Sequence, residues 1–65
     1  MKSTRLIRLD EVKRRTGFGK SSIYNGVADG TFPKPVPLGA RAVAWVEDEI
    51  QEWIEARISE RNNRR

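Results

Sequence analysis

Apolar positions near the N-terminus follow the spacing of a helix. Leu9, Val12 and Thr16 lie three or four residues apart, so they fall on one helix face. Gly17 follows directly, and glycine is the residue that most often ends a helix. We therefore predict a helix from residue 9 or 10 to Thr16. The preceding segment 5–8 is typical of a short edge strand or an extended lead-in.

A second helix is predicted a few residues further on, over 20–29. Ile23 and Val27 lie four residues apart and would face the core, and Gly30 would close the helix. Only the segment 17–19, which contains glycine, separates the two predicted helices. Two short helices joined by such a turn are typical of a helix-turn-helix.

The middle of the chain favours a β-hairpin. Prolines at alternating positions exclude a helix from segment 32–37, which we expect to be an extended arm. A turn is predicted over 38–41, with Gly39 as the residue that takes a positive φ. Segment 42–45 then returns as a strand. Arm and strand together would form a wing with a basic tip.

The last helix is predicted to start at the acidic segment 47–49, because negative charge is favourable at a helix N-terminus. Four apolar residues follow with the spacing of an amphipathic helix: Ile50, Trp53, Ile54 and Ile58. We expect Trp53 and the preceding Trp45 to pack in the core beneath the wing. Segment 61–65 has no apolar residue, and we expect it to fray.

Length and composition limit the class of protein. The chain has 65 residues, of which 37% are hydrophobic, so we expect one domain over 1–65 with an ordered core at about 5–60. The predicted fold is α+β and mainly α, a small winged helix-turn-helix with three helices and a β-hairpin wing. The sequence contains no cysteine and no histidine. It therefore offers no disulfide, no thiol nucleophile, no usual zinc ligands and no imidazole base.

From this composition we expect a cytoplasmic protein that is not an enzyme and has no cofactor, metal or small-molecule substrate. No apolar run is long enough to predict a membrane span. Charge is distributed unevenly: residues 1–45 carry nine Lys and Arg against three Asp and Glu, whereas 46–65 carry four against six. An excess of basic residues over 1–45 is typical of a chain that binds a polyanion, although an unevenly charged solvated surface would give the same pattern.

The order of these elements resembles the AlpA family of prophage regulatory proteins, which share a MerR-like winged-helix fold with phage excisionases. The resemblance runs from about Leu6 to Arg57. It is carried by six segments: Leu6-Ile7-Arg8-Leu9, Thr16-Gly17, Ser21-Ser22-Ile23-Tyr24, Gly30-Thr31-Phe32-Pro33-Lys34-Pro35, Leu38-Gly39-Ala40-Arg41-Ala42-Val43-Ala44-Trp45 and Ile50-Gln51-Glu52-Trp53-Ile54. The chain departs from the family at Gly19, where serine is usual, and at Gly26 inside the second helix.

Candidate DNA contacts lie at the start of the second helix, which would enter the major groove. Lys20 could reach a phosphate or a guanine edge, and Ser21 and Ser22 could donate to phosphates, although both serines also suit a helix start. Asn25 could pair with adenine or simply face water. Tyr24 is expected to pack its ring inward, either as a purely structural core residue or with its hydroxyl reaching a phosphate.

Further candidate contacts are basic. Arg41 at the wing tip could enter a narrow minor groove, and the family resemblance implies the same role. Lys34 would assist DNA binding from the other arm of the wing. Arg14 and Arg15 end the first helix, where they either meet a phosphate or simply complement the helix dipole.

The function we predict is a sequence-specific transcriptional regulator of phage or prophage type that binds double-stranded DNA. One short recognition helix covers few base pairs, so self-association or cooperative binding on tandem sites is expected. An alternative with the same fold is an excisionase that bends attachment-site DNA. An alternative of another class is a protein-interaction module that uses the acidic last helix.

Overall fold

A computed structural model describes residues 5–63. Within these residues, three short strands and three helices make up the fold. The elements, in chain order, are β1 (Leu6–Ile7), α1 (Leu9–Thr16), α2 (Lys20–Asp29), β2 (Val36–Pro37), β3 (Val43–Val46) and α3 (Glu47–Asn62). The predicted winged helix-turn-helix is confirmed.

Both predicted glycine caps are confirmed. Gly17 ends α1 with a φ of 77° and Gly30 ends α2 with a φ of 80°, a left-handed conformation that other residues rarely adopt. Thr16 shapes the turn between the two helices. Its hydroxyl donates to the carbonyl of Val12 at 2.9 Å and accepts from the backbone N–H of Phe18 at 3.1 Å. The chain therefore leaves α1 in a fixed direction.

The strands form one antiparallel sheet in the order β1-β3-β2. Ile7 in β1 pairs with Trp45, and Pro37 in β2 pairs with Val43. The predicted wing is thus the β2–β3 hairpin, closed by a hydrogen bond from Leu38 N to Ala42 O of 2.7 Å. The prediction for Gly39 was wrong, because positive φ angles within residues 5–63 occur only at Gly17 and Gly30.

The core lies where the helices meet the sheet. Its buried members are Ile7, Val12, Ile23, Phe32, Trp45 and Ile50. The Trp45 indole N–H donates to the carbonyl of Pro33 at 2.9 Å, and that of Trp53 donates to the carbonyl of Thr31 at 2.8 Å. Both indole N–H groups therefore have a partner, and both bonds tie the segment after α2 to the core.

Burial decreases along α3. Ile50 is fully buried and Trp53 and Ile54 are half-buried, but Ile58 is 45% exposed because the helix extends past the core. The helix includes Arg61 and Asn62, the first residues of the predicted flexible tail, whereas residues 64–65 lie outside the described residues. No helix within residues 5–63 is long and apolar enough to cross a membrane.

Candidate nucleic-acid interface

The first turn of α2 is open to an incoming ligand. Gly19 occupies the N-cap and supplies no side-chain hydrogen bond to the free N–H groups of the turn. Lys20, Ser21 and Ser22 are all exposed there, and Asn25 is exposed one turn later. Partial positive charge at a helix start favours an anion. This end of α2 therefore offers both hydrogen-bond donors and a cation.

A concave cavity of about 450 Å³ separates the start of α2 from the wing. Both Lys20 and Arg41 line it, so the two cations expected to act together do face one common space. The other lining residues are Arg8, Leu9, Asp10, Tyr24 and Val43. Three cations and one carboxylate leave this cavity with an excess of positive charge.

Sheet pairing explains why these groups meet. Ile7 pairs with Trp45, which holds the start of α1 beside the base of the wing. Arg8 is the next residue, and its carbonyl accepts the first hydrogen bonds of α1, from Glu11 N at 3.1 Å and Val12 N at 3.0 Å. The helix-turn-helix then returns α2 to the same side of the molecule.

Tyr24 lines the cavity and also packs against the core. Its ring is 37% exposed and meets the buried Trp45 ring edge to face, with 6.0 Å between the ring centroids. The ring therefore packs against the core on one side and faces the cavity on the other. The phenol remains accessible to a ligand.

Arg8 is a cation that the sequence reasoning missed. It lies in the segment interpreted only as a strand or lead-in, and nothing local marks it as part of a site. The signal that could have found it is long-range: pairing β1 with β3 carries the residue after β1 to the wing. Within residues 5–63, Arg8 makes no ion pair, nor do Lys20 and Arg41.

Arg14 and Arg15 do not line the basic cavity; they line an adjoining one, which also includes Arg8 and Asp10. The side chain of Arg14 is 78% exposed and pairs with Glu11. Arg15 is less exposed and bridges two carboxylates, Glu11 at 2.7 Å and Glu47 of α3 at 2.9 Å. Hydrogen bonds from Arg15 and then Arg14 lower the pKa of Glu11, and the same two carboxylates raise the pKa of Arg15. Arg15 thus joins α1 to α3, while Arg14 keeps an accessible guanidinium.

Lys34 is not brought to the cavity of Lys20 and Arg41. It precedes β2 and lines a second cavity that it shares with Glu49 and Glu52 of α3. The acidic first half of α3 therefore faces Lys34 and a separate part of the surface. The basic cavity keeps Asp10 as its only lining carboxylate among the described residues.

A helix-turn-helix, a β-hairpin wing and a basic cavity between them define a winged helix-turn-helix protein. The family model described as "Prophage CP4-57 regulatory protein (AlpA)" matches residues 5–58. The chain belongs to this AlpA family of prophage regulatory proteins. Membership confirms the resemblance inferred from sequence and the prediction of a phage-type regulator rather than an enzyme.

Two relatives are similar over most of this chain. The DNA-binding transcriptional activator AlpA of Escherichia coli (strain K12) is 38% identical over 61 residues, and the match covers 85% of this chain and 87% of that protein. The uncharacterized protein ORF88 of Enterobacteria phage P4 is 39% identical over 57 residues, which cover 88% of this chain and 65% of that protein.

Proposed function

We propose that this protein binds duplex DNA through the start of α2 and the tip of the wing, and so regulates transcription. The observation that carries the proposal is the common cavity lined by Lys20 and Arg41. The name of the Escherichia coli relative, which describes a DNA-binding transcriptional activator, supports the same function.

The dimensions of α2 suit the major groove. Ten residues of helix are about 15 Å long, and the groove is about 12 Å wide. With α2 in the major groove, Lys20, Ser21 and Ser22 would approach phosphates at the groove edge, and Asn25 would approach base edges. Arg41 would then reach the neighbouring minor groove.

Several copies are proposed to act together on tandem sites. One crossing of the groove by α2 spans about four or five base pairs at ~3.4 Å each, which is too short a sequence to be specific in a genome. Cooperative binding to repeated sites would restore specificity.

Salt dependence gives the first test. If about four to six phosphates are neutralised, log Kd against log salt concentration has a slope of about 4 to 5 in magnitude. The measurement is fluorescence anisotropy on a labelled duplex selected from a random pool by the wild-type protein. A slope near zero would reject DNA binding through this basic face and favour the protein-interaction alternative.

Two charge-removing variants give the second test. Lys20→Gln and Arg41→Gln should each weaken binding about tenfold, because each removes a contact of ~1–3 kcal/mol to phosphate or base. Lys13→Gln is the matched control, since Lys13 is exposed on α1 and does not line the cavity. All three variants should melt at the wild-type temperature. Equal affinities for all three would contradict the proposed orientation.

A further inference from the structure

The cavity between α2 and the wing is also lined by a cation that is not among the DNA contacts proposed above. Arg8 contributes the third cation, from the junction of β1 and α1. Its side chain is exposed and makes no ion pair with another described residue. Three cations that share one cavity repel each other, so the arrangement favours an anion between them.

Duplex geometry indicates which anion this is. A major groove and the neighbouring minor groove are separated by one sugar-phosphate backbone. An element in each groove must therefore straddle that backbone. On the proposed orientation, α2 and the wing are those two elements, and the cavity between them is where the backbone has to pass.

We propose that this cavity is a binding site for a backbone phosphodiester and that Arg8 binds the phosphate there. The inference rests on the proposed function and adds a contact to it. A guanidinium can donate two parallel hydrogen bonds to one phosphate, which suits Arg8 to this role better than a lysine. Tyr24 lines the same cavity, and its hydroxyl would donate to the same backbone.

The position of Arg8 is fixed before DNA binds. Its neighbour Ile7 is only 4% exposed and is paired with Trp45 in the sheet. Its own carbonyl accepts two hydrogen bonds from the first turn of α1. The phosphate site therefore sits on a rigid base, and little backbone ordering is needed on binding.

Asp10 offers a variant that should raise DNA affinity, whereas loss of a cation should lower it. It is the carboxylate that lines the cavity with the three cations, so it repels a bound phosphate. Replacing it with asparagine removes this repulsion, although it also removes a favourable charge from the first turn of α1. DNA affinity should rise while thermal stability falls slightly, a combination that general loss of structure cannot produce.

The primary test compares Arg8→Gln with Lys13→Gln on two duplexes, one selected by the wild-type protein and one of random sequence. Arg8→Gln should weaken binding to both by about tenfold and reduce the salt slope by about 1, because phosphate contacts carry no sequence information. Lys13→Gln should stay within about twofold of wild type, since it is a single charge outside the site. Asp10→Asn should tighten binding to both duplexes by about threefold.

A second test locates the phosphate. A methylphosphonate, which lacks the phosphate charge, is placed at successive backbone positions of the selected duplex. At one position the substitution should weaken wild-type binding but leave Arg8→Gln binding nearly unchanged, which is the non-additivity expected of a direct contact. Additive effects at every position would overturn the inference.

The variants distinguish an error in this inference from an error in the proposed function. Should Arg8→Gln behave like Lys13→Gln while Lys20→Gln and Arg41→Gln weaken binding, the phosphate site is wrong and the DNA-binding face stands. If Arg8→Gln weakens binding to the selected duplex alone, Arg8 is a base contact and the phosphate role is overturned. No effect from any of the three cavity cations would overturn both.

Discussion

The close contact with Phe32, and not helix propensity, explains why a glycine stands at position 26. A glycine inside a helix costs roughly 1 kcal/mol relative to alanine, which from sequence alone makes it a weak point of α2. A Cβ at this position would lie 2.8 Å from the Cβ of Phe32. The Gly26 carbonyl also accepts from the N–H groups of Thr31 at 2.9 Å and Phe32 at 3.1 Å. The chain after α2 therefore folds directly against this glycine.

Gly26→Ala should consequently destabilise the protein, by about 1–3 kcal/mol, although helix propensity alone predicts the opposite sign. The buried Phe32 backbone must move to admit the methyl group, since its Cβ is not the end of a flexible side chain. Chemical denaturation of the variant measures the change.

Gly39→Ala is the matched control for this prediction. Gly39 lies in the wing turn with nothing within 4 Å of an added Cβ, and its φ is not positive. Its replacement should be neutral or slightly stabilising, because alanine restricts the unfolded chain. A Gly26→Ala variant as stable as Gly39→Ala would show that the contact with Phe32 relaxes freely.

At the scale of elements, an ion-pair network fastens α1 to α3. Arg15 pairs with Glu11 on its own helix and with Glu47 at the start of α3. Hydrogen bonds from Arg15 and Arg14 lower the pKa of Glu11 below its ordinary value. A carboxylate whose pKa is lowered by folding stabilises the folded state above its unfolded pKa, and that contribution is lost as the pH falls through the folded pKa.

The stability of the protein should therefore decline as the solution is acidified below pH ~4, the ordinary range of a glutamate. Glu11→Gln should be less stable than wild type at neutral pH and should lose less stability on acidification. Glu60→Gln is the control, because among the described residues Glu60 pairs only within α3, with Arg57 at 3.3 Å. Unfolding followed by circular dichroism from pH 7 to pH 3 measures the difference. Parallel acid profiles for wild type and Glu11→Gln would contradict this role.

The helices could be predicted from sequence because their signals are local. Apolar spacing and the glycines at 17 and 30 determine where α1 and α2 end, and both helices have the predicted bounds. The pairing of β1 with β3 could not be predicted in this way, since it joins residues about forty positions apart and leaves no local pattern. Arg8 reaches the candidate site only through that pairing, which is why the site was predicted without it.

Turn chemistry accounts for the error at Gly39. Glycine is the usual residue for a positive φ, so the sequence favoured it for the wing turn. The hairpin instead closes over a longer loop, with Leu38 N bonded to Ala42 O, and this loop needs no left-handed residue. The apolar spacing of α3 continues to Ile58, but the core ends before this residue.

At the scale of the whole molecule, basic and acidic residues lie around two different cavities. The basic cavity lies between α2 and the wing, whereas Glu49 and Glu52 border a separate cavity with Lys34. In the binding mode that we propose, one copy presents a single DNA-facing side and covers only a short stretch of duplex. Cooperative occupation of tandem sites is the consequence we expect.

A duplex carrying two copies of the selected sequence one helical turn apart should bind more tightly per site than a duplex carrying one. A gain of about tenfold in the second binding step corresponds to ~1.4 kcal/mol of coupling. Titration and footprinting of both duplexes measure it, with a two-site duplex of half-turn spacing as the control. A footprint confined to one isolated site at full affinity would contradict cooperativity.

The two indole hydrogen bonds have a consequence for recognition. Trp45 and Trp53 hold the carbonyls of Pro33 and Thr31, the stretch that joins α2 to the wing. In the binding mode that we propose, these bonds set the distance between α2 and the wing before DNA binds. A duplex whose natural groove spacing differs from that distance would have to be twisted or bent to match it. Sequences with easily deformed steps would then be preferred at positions that no side chain touches.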